Sequence, residues 1–389
     1  MKKVCIAIVI ERSRSYGQGL LRGIAKYGRY KPNWSFTNLF TNEISFNRGE
    51  KVDFNKLLLD KKHFDGIIAH VSSQLEVEEL AATGIPLIIQ SFRNEISYQS
   101  IITADDKAIG QMAAKYLINK GFVHFAYCGL KDMFWSQNRA DSFAEFIKQH
   151  GFDVRIFNEK PQKNVALEQE YKVIADWLLT LPTPIGLMCC NDDQSRGIYA
   201  ACNIAGLKVP QDVSIISVDN DELVCELTEV PLTSIELATE QAGYEAADML
   251  DKIITGTQTE HGKVMVRPRQ VIARRSTDFL AIDDLDVAQS VLFIKNQASE
   301  IITVDDVVNA SALSRRMLEI RFTKILDKTI NEIIQIEHLN LAKQLLTETR
   351  LPMSHIASKS GFSNSTYMAV VFKKLIGTTP FQFRKTHQV

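Results

Sequence analysis

Residues 351–384, LPMSHIASKSGFSNSTYMAVVFKKLIGTTPFQFR, decide what kind of chain this is. The stretch reads as a short helix, a glycine turn, a second helix and a third helix opened by proline. Ile356, Ala357, Tyr367, Met368, Val371 and Phe372 recur at three- and four-residue spacing, which gives each helix one apolar stripe. Gly361 falls where the backbone needs a positive φ to swing the second helix roughly at a right angle to the first. Ser363, Asn364, Ser365 and Thr366 follow. They are small polar residues that can cap backbone N–H groups and still come close to base edges. Lys373 and Lys374 lie further along the same helix, where cations suit phosphates. Spacing alone leaves a plain helical bundle with a solvated polar face as an equal reading.

The order of residues separates the two. IA…GF, then TYM…FKK, then GTTPFQFR resembles the second helix-turn-helix of the AraC/XylS transcription activators. A counterpart lies upstream in Thr303–Leu326, TVDDVVNASALSRRMLEIRFTKIL, where Ser314, Leu318 and Phe322 keep the S-x₃-L-x₃-F spacing of the family's first helix-turn-helix. Between them an amphipathic helix is predicted over Asn331–Leu346, with Ile334, Leu341, Ala342 and Leu345 on its packed side. The resemblance implies an all-α DNA-binding domain with two recognition helices. Ser314, Arg315 and Arg316 start one, and Asn364, Ser365 and Thr366 start the other, facing the major groove of operator DNA. Lys373 then contacts phosphate. Two departures are visible: Asp327 where the family usually has glycine, and Met368 for the more usual Phe, a size-tolerant change.

Charge fits that division. The chain of 389 residues has a net charge of −1, so it is no basic coat for nucleic acid. From Val287 to the end, however, 13 Lys and Arg stand against 8 Asp and Glu, which puts the positive surplus in the part expected to meet DNA. The opening MKKVCIAIVIERSRS imitates a signal peptide, yet its apolar run is only Val4–Ile10 and ends at Glu11-Arg12 without a small-residue cleavage site. A buried first strand is the better reading. No run approaches the ~18 apolar residues of a membrane span. Cys5, Cys128, Cys189, Cys190, Cys202 and Cys225 sit in apolar or helical runs without metal-ligand spacing, as reduced core residues of a cytoplasmic protein.

Up to about residue 280, short apolar runs alternate with helical patterns. Val4–Ile10, Gly66–His70, Pro86–Ser91, Ser100–Thr103, Phe125–Cys128, Gly186–Cys190 and Ser214–Val218 read as strands. Gly17–Tyr27, Gly110–Lys120, Arg139–His150, Gln194–Ala205 and Gln241–Thr255 read as helices. Fully apolar strands between helices imply parallel sheets covered on both faces, and the length calls for two sub-domains with a cleft at the carboxyl ends of the strands. The residues there include Tyr16 after the first strand, Trp135 and Arg139 after Cys128, Asn191 and Asp192 after Cys190, and Asp219 after Val218. Carboxylates accept paired hydroxyl hydrogen bonds, Arg donates a fork, and an aromatic face covers the C–H side of a sugar ring. Singly, Asp and Asn at strand ends serve as well to make turns and cap helices.

Thr103–Phe122, Asn138–Phe152, Cys190–Glu222, Pro231–Leu237 and Pro268–Thr277 together resemble the effector domain of the LacI/GalR regulators, a periplasmic-binding-protein-like, Rossmann-like fold of two parallel-sheet sub-domains. That resemblance matches Arg139 to an effector-contacting arginine, Asp219 to the Asp after the last core strand, and Asn191-Asp192 to a family Asn-Asp pair. It implies an effector domain over residues 1–278, a linker over 279–286 and the DNA-binding domain over 287–389. The combined resemblance implies a transcription regulator, an activator of sugar catabolic genes. The implied effector is a small aldose, D-xylose first; the implied partners are operator DNA, a second copy of the chain and RNA polymerase. A sugar-binding protein would account for only the first part. A sugar enzyme would need a catalytic constellation, and Asp192/Asp193 and Asp219/Asp221 lack an accompanying His cluster or nucleophile–base motif. The expectation is therefore no enzyme, no cofactor and no metal.

Overall fold

The computed structural model describes residues 3–39, 64–91, 95–96, 98–157, 167–257, 262–279, 282, 284–326 and 328–387. It divides into two compact units, Met1–Phe279 and Leu280–Val389.

The first unit holds two sheets, each of six described strands. In the first sheet β1 (Val4–Val9), β2 (Trp34–Asn38), β3 (Gly66–Val71), β4 (Leu87–Ser91), β5 (Ile101–Ala104) and β11 (Lys263–Val266) run parallel in the order β11-β5-β4-β3-β1-β2. The second contains β6 (Phe125–Cys128), β7 (Val154–Phe157), β8 (Ile185–Cys189), β9 (Val213–Val218), β10 (Thr233–Leu237) and β12 (Pro268–Ile272), in the order β12-β10-β9-β8-β6-β7, with only β12 antiparallel. The central strands are largely apolar, and β3, β8 and β9 are buried at every position, as a sheet covered by helices on both faces requires.

The expected parallel-sheet architecture is what forms, with strand ends shifted by a residue or so. The strands absent from the sequence reading are chiefly edge strands. β2, β7 and β11 are only partly buried and are short or interrupted by polar residues, so they lack a long apolar run. β10 is central but carries Thr233 and Ser234 inside the core, where both are hydrogen-bonded, and this hides it from a hydropathy reading.

The chain crosses between the sheets at residues 104–106, 237–239 and 266–268. The crossings are laced together: the Asp105 N–H donates to the Val266 carbonyl at 3.0 Å and the Ala238 N–H to the Arg267 carbonyl at 2.8 Å. On the first lobe, the helix Ser15–Gly28 lies against the helix Thr239–Ile254 at backbone contact. A Cβ on Gly23 or Gly243 would fall about 2 Å from the opposing carbonyl oxygen of Glu240 or Leu20.

The second unit is helical, with helices at Leu285–Asn296, Val304–Asn309, Arg315–Leu326, Ile330–Glu348, Met353–Lys359, Ser365–Ile376 and Pro380–His387. Thr303 and Thr329 open two of them with reciprocal capping boxes to Asp306 and Glu332. The long helix bridges two cores. Ile334 belongs to the first, with Val307, Leu318 and Phe322; Leu339, Ala342 and Leu346 belong to the second, with Ile356, Met368 and Phe372. Its packed stripe thus runs through Leu339 and Leu346, and Leu345 is only half covered. The expected linker is in part structure of this unit: Ile282 joins its first core, and Asp284 caps the first helix and pairs with Arg321 at 2.8 Å. The expected turn at Asp327 lies outside the described residues.

Gly361 has φ 74°, and a Cβ there would meet His338 Nε2 at 2.4 Å and the Glu300 carbonyl oxygen at 2.6 Å. Gly361→Ala therefore combines left-handed strain of about 1–2 kcal/mol with a clash against backbone. Urea unfolding of the full chain should show the helical unit melting earlier while the transition of the α/β unit stays in place.

Candidate functional site

Residues from both lobes meet at the carboxyl ends of the strands. A cavity of about 80 Å³ is lined from the first lobe by Glu11, Arg14, Tyr16, His70, Gln90 and Thr103, and from the second by Trp135, Arg139, Asn191 and Asp219. It adjoins a wider cleft of about 540 Å³ that shares Ser91, Thr103, Asp106 and Phe134.

Arg139 is only 3% exposed. Its Nε donates to Asp106 Oδ1 at 2.9 Å and its terminal nitrogen to the Cys190 carbonyl at 2.6 Å, while Trp135 lies across its face at 4.9 Å from guanidinium to ring centroid. The helix Phe134–Gln149 carries both Trp135 and Arg139, four residues apart and so on one side. Burial raises the Asp106 carboxyl above its usual range despite the neighbouring guanidinium.

Asp219 and Asn220 leave β9 with φ 106° and 50°, a left-handed turn made without glycine. Such residues persist only where the surroundings fix them. Here three successive backbone N–H groups are held: Asp219 by the Ile235 carbonyl at 3.0 Å, Asn220 by Ser234 Oγ at 3.0 Å and Asp221 by Asp192 Oδ2 at 2.7 Å. Ser234 in turn donates to Asp192 Oδ1 at 2.7 Å. Asp192 is 2% exposed and spends both oxygens on this turn, so the structure places it behind the cavity wall, with Asn191 and Asp219 on the wall. Asn191 caps the helix Asp192–Ala205 through the Gln194 N–H at 3.0 Å.

Burial pushes the Asp219 carboxyl up to about 7. Arg139 and Arg14 pull it down, and Asp192 and Asp193 add to the rise. Asp192 rises to about 6 by burial, against its hydrogen bonds from Ser234 and Asp221. Tyr16 is raised by burial and by Asp106 and remains a neutral hydroxyl.

The lobes also touch across the cleft. Arg14 pairs with Asp193 at 2.9 Å, and the Ser15 N–H donates to Asp221 Oδ2 at 3.1 Å. Arg274, just past β12, donates to the Asn220 side chain at 3.0 Å, the Leu232 carbonyl at 3.0 Å and Glu226 at 2.5 Å. It thereby ties the Asp219–Asp221 turn to the segment 274–277, where Ser276 donates to the Ile215 carbonyl and Thr277 bonds Thr233 and Tyr116.

The cleft holds residues that the sequence reading passed over. His70 and Gln90 are the last residues but one of β3 and β4, are hydrogen-bonded to each other, and lie on the cavity wall with Glu11 and Asp106. The available signal was a polar residue near the carboxyl end of an otherwise apolar strand. Burial lowers the His70 imidazole to about 4, so it sits there neutral.

In the helical unit, Ser314, Arg315, Arg316, Asn364 and Thr366 are exposed and Ser365 is half covered, all at the expected helix starts, and Lys373 is exposed in the last turn of the helix Ser365–Ile376. Asn364 caps its helix through the Tyr367 N–H at 2.8 Å. Arg315 is held by Asp305 at 2.8 Å and Glu319 at 2.9 Å, whereas Arg316 makes no ion pair among the described residues. Among the described residues, no group of three or more His, Cys, Asp or Glu is arranged to hold a metal ion, and no helix is long and apolar enough to cross a membrane.

Arg139→Met would leave Asp106 buried without its partner, a loss of about 3–5 kcal/mol. An orphaned carboxyl is protonated more readily. The deficit should therefore be smaller at pH 5 than at pH 8 in thermal unfolding of the α/β unit, because stability from a raised carboxyl is present at low pH and lost as pH rises.

Residues 114–277 match the periplasmic binding protein-like domain family and residues 307–386 a helix-turn-helix domain family. The chain is 29% identical to the xylose operon regulatory protein of Haemophilus influenzae over 388 residues, 97% of each chain. It is 28% identical to that of Escherichia coli K12, covering 98% of this chain and 97% of the relative. A solved structure described as a xylose-binding transcription activator matches with TM-score 0.62 and 26% identity over 100% of both chains. The chain thus joins a periplasmic-binding-protein-like unit to a helix-turn-helix domain and resembles the xylose operon regulatory proteins along nearly its whole length.

Proposed function

We propose that this chain is a sugar-responsive, DNA-binding transcription regulator, an activator of pentose catabolic genes that takes D-xylose or a similar small aldose in the cleft. The observation that carries the reading is the convergence of Asp219, Arg139 and Trp135 on one cavity in a chain that also bears two helix-turn-helix motifs. A carboxylate, a guanidinium and an indole face supply the acceptor, donor and apolar cover that a neutral polyol requires. Asn191 and Tyr16 complete the wall, and Asp192 acts through the turn that presents Asp219. In this reading the protein works in the cytoplasm as a homodimer, meets RNA polymerase at the promoter and catalyses no reaction.

Closure of the cleft about the three crossings supplies the two states that an effector must bind unequally, because equal affinity for both shifts nothing. In this reading Arg316 and Asn364 read guanine and adenine edges, with Lys373 on phosphate.

Calorimetry with D-xylose tests the cleft. Asp219→Ala should bind at least about tenfold more weakly, a loss of roughly 1.5–3 kcal/mol for one charged hydrogen bond. Unchanged affinity removes Asp219 from the site.

Sugar hydroxyls need the carboxylate form of Asp219. Affinity should therefore rise with pH up to about 7 and level off above it, and Asp219→Asn should flatten the profile.

Linkage supplies a further check. If sugar tightens operator binding, operator tightens sugar binding by the same factor, typically about 5–150-fold. Equal sugar affinity with and without a two-site operator rules this coupling out.

A further inference from the structure

The two helices that start at Arg315 and Ser365 repeat each other at an offset of 50 residues. Leu318 and Met368 hold one buried place, and Phe322 and Phe372 the next. On the opposite side the same offset pairs Arg316 with Thr366, Ile320 with Val370, and Thr323 with Lys373, all exposed. At about 100° per residue, position 320 lies some 160° from both 318 and 322, so Ile320 stands at the middle of the outward face, as Val370 does on its own helix.

These central residues are β-branched and aliphatic, and Ile320 is 52% and Val370 61% exposed. Neither helps its helix, since β-branching lowers helix propensity, and neither is needed for the core behind it. One exposed aliphatic residue is unremarkable on a protein surface. Two at the same place in a repeated element, flanked by Arg316 and Lys324 on one helix and Lys373 and Lys374 on the other, mark a surface that meets something both anionic and locally apolar. Duplex DNA answers that description in its major groove, where the C5 methyl of thymine is the apolar group on the base-pair edges.

We propose that Ile320 and Val370 are specificity determinants, each packing on a thymine methyl in its own major-groove segment. The inference rests on the DNA-binding reading above and adds a chemistry that the polar residues at the helix starts cannot supply. Arg316 and Asn364 read hydrogen-bonding edges; the aliphatic pair separates thymine from cytosine by its methyl.

The test uses the full-length chain and a duplex enriched by it from a random pool, resynthesised with deoxyuridine for thymidine one position at a time, which removes the methyl alone. Each determinant should reveal at least one position where the swap weakens binding about three- to tenfold, the scale of one or two buried methyl-sized groups. With Val370→Ala the swap should cost nothing at the position that Val370 reads and keep its cost at the Ile320 position; Ile320→Ala should give the converse. Both side chains are exposed and alanine favours helix, so folding is preserved. Lys373→Ala should weaken every duplex and leave the pattern of sensitive positions unchanged. Absence of any sensitive position, or sensitivity that survives both alanine variants, overturns the proposal while leaving DNA binding intact. Failure to enrich any duplex overturns the DNA-binding reading and this inference together.

Discussion

A guanidinium taken out of water has to be surrounded by acceptors, and much of the α/β unit answers to the placement of Arg139. Its partners come from distant parts of the chain: Asp106 from a crossing between lobes, the Cys190 carbonyl from the end of β8, and Trp135 from one turn earlier in its own helix. Asp219 feels the same charge from the end of β9. Burial is the first reason that Asp106, Asp192 and Asp219 are all raised, and the charge of Arg139 offsets only part of it at Asp106 and Asp219. The site is consequently rich in acceptors and held in tension with its own folding, as functional clefts commonly are.

The helical unit solves a different problem, that of presenting two similar surfaces from one rigid body. The long helix does so by lending its first half to one small core and its second half to the other. His338 stands near the changeover, buried against Phe362 and the turn at Gly361. That packing explains why the turn tolerates no side chain.

Much of this was legible in the sequence where local chemistry and burial coincide. The largely apolar central strands, the left-handed glycine at 361, the cap at Asn364, Asp219 just past β9 and Arg139 on the helix that follows β6 all follow from residue type and period. What stayed hidden depends on long-range pairing. Ser234 and Thr233 look like loop residues until Asp192 and Thr277 are brought beside them. Asp192 reads as a ligand contact because its commitment to the Asp221 N–H, made 29 residues away, leaves no local trace. His70 and Gln90 lie near the ends of separate strands, and only the parallel register of β3 and β4 makes them neighbours.

The grip of Arg274 on the Asp219–Asp221 turn carries a mechanical consequence. The turn faces the cavity on one side, while Arg274 lies a few residues before the end of the unit at Phe279. Ser276 and Thr277 are themselves pinned to β9, β10 and the helix Asp106–Asn119, so this last stretch is a fixed mooring and not a trailing tail. The departing chain is therefore indexed to the same backbone turn that presents Asp219. The last residues of the α/β unit are thus held in place by the same network that seats that turn.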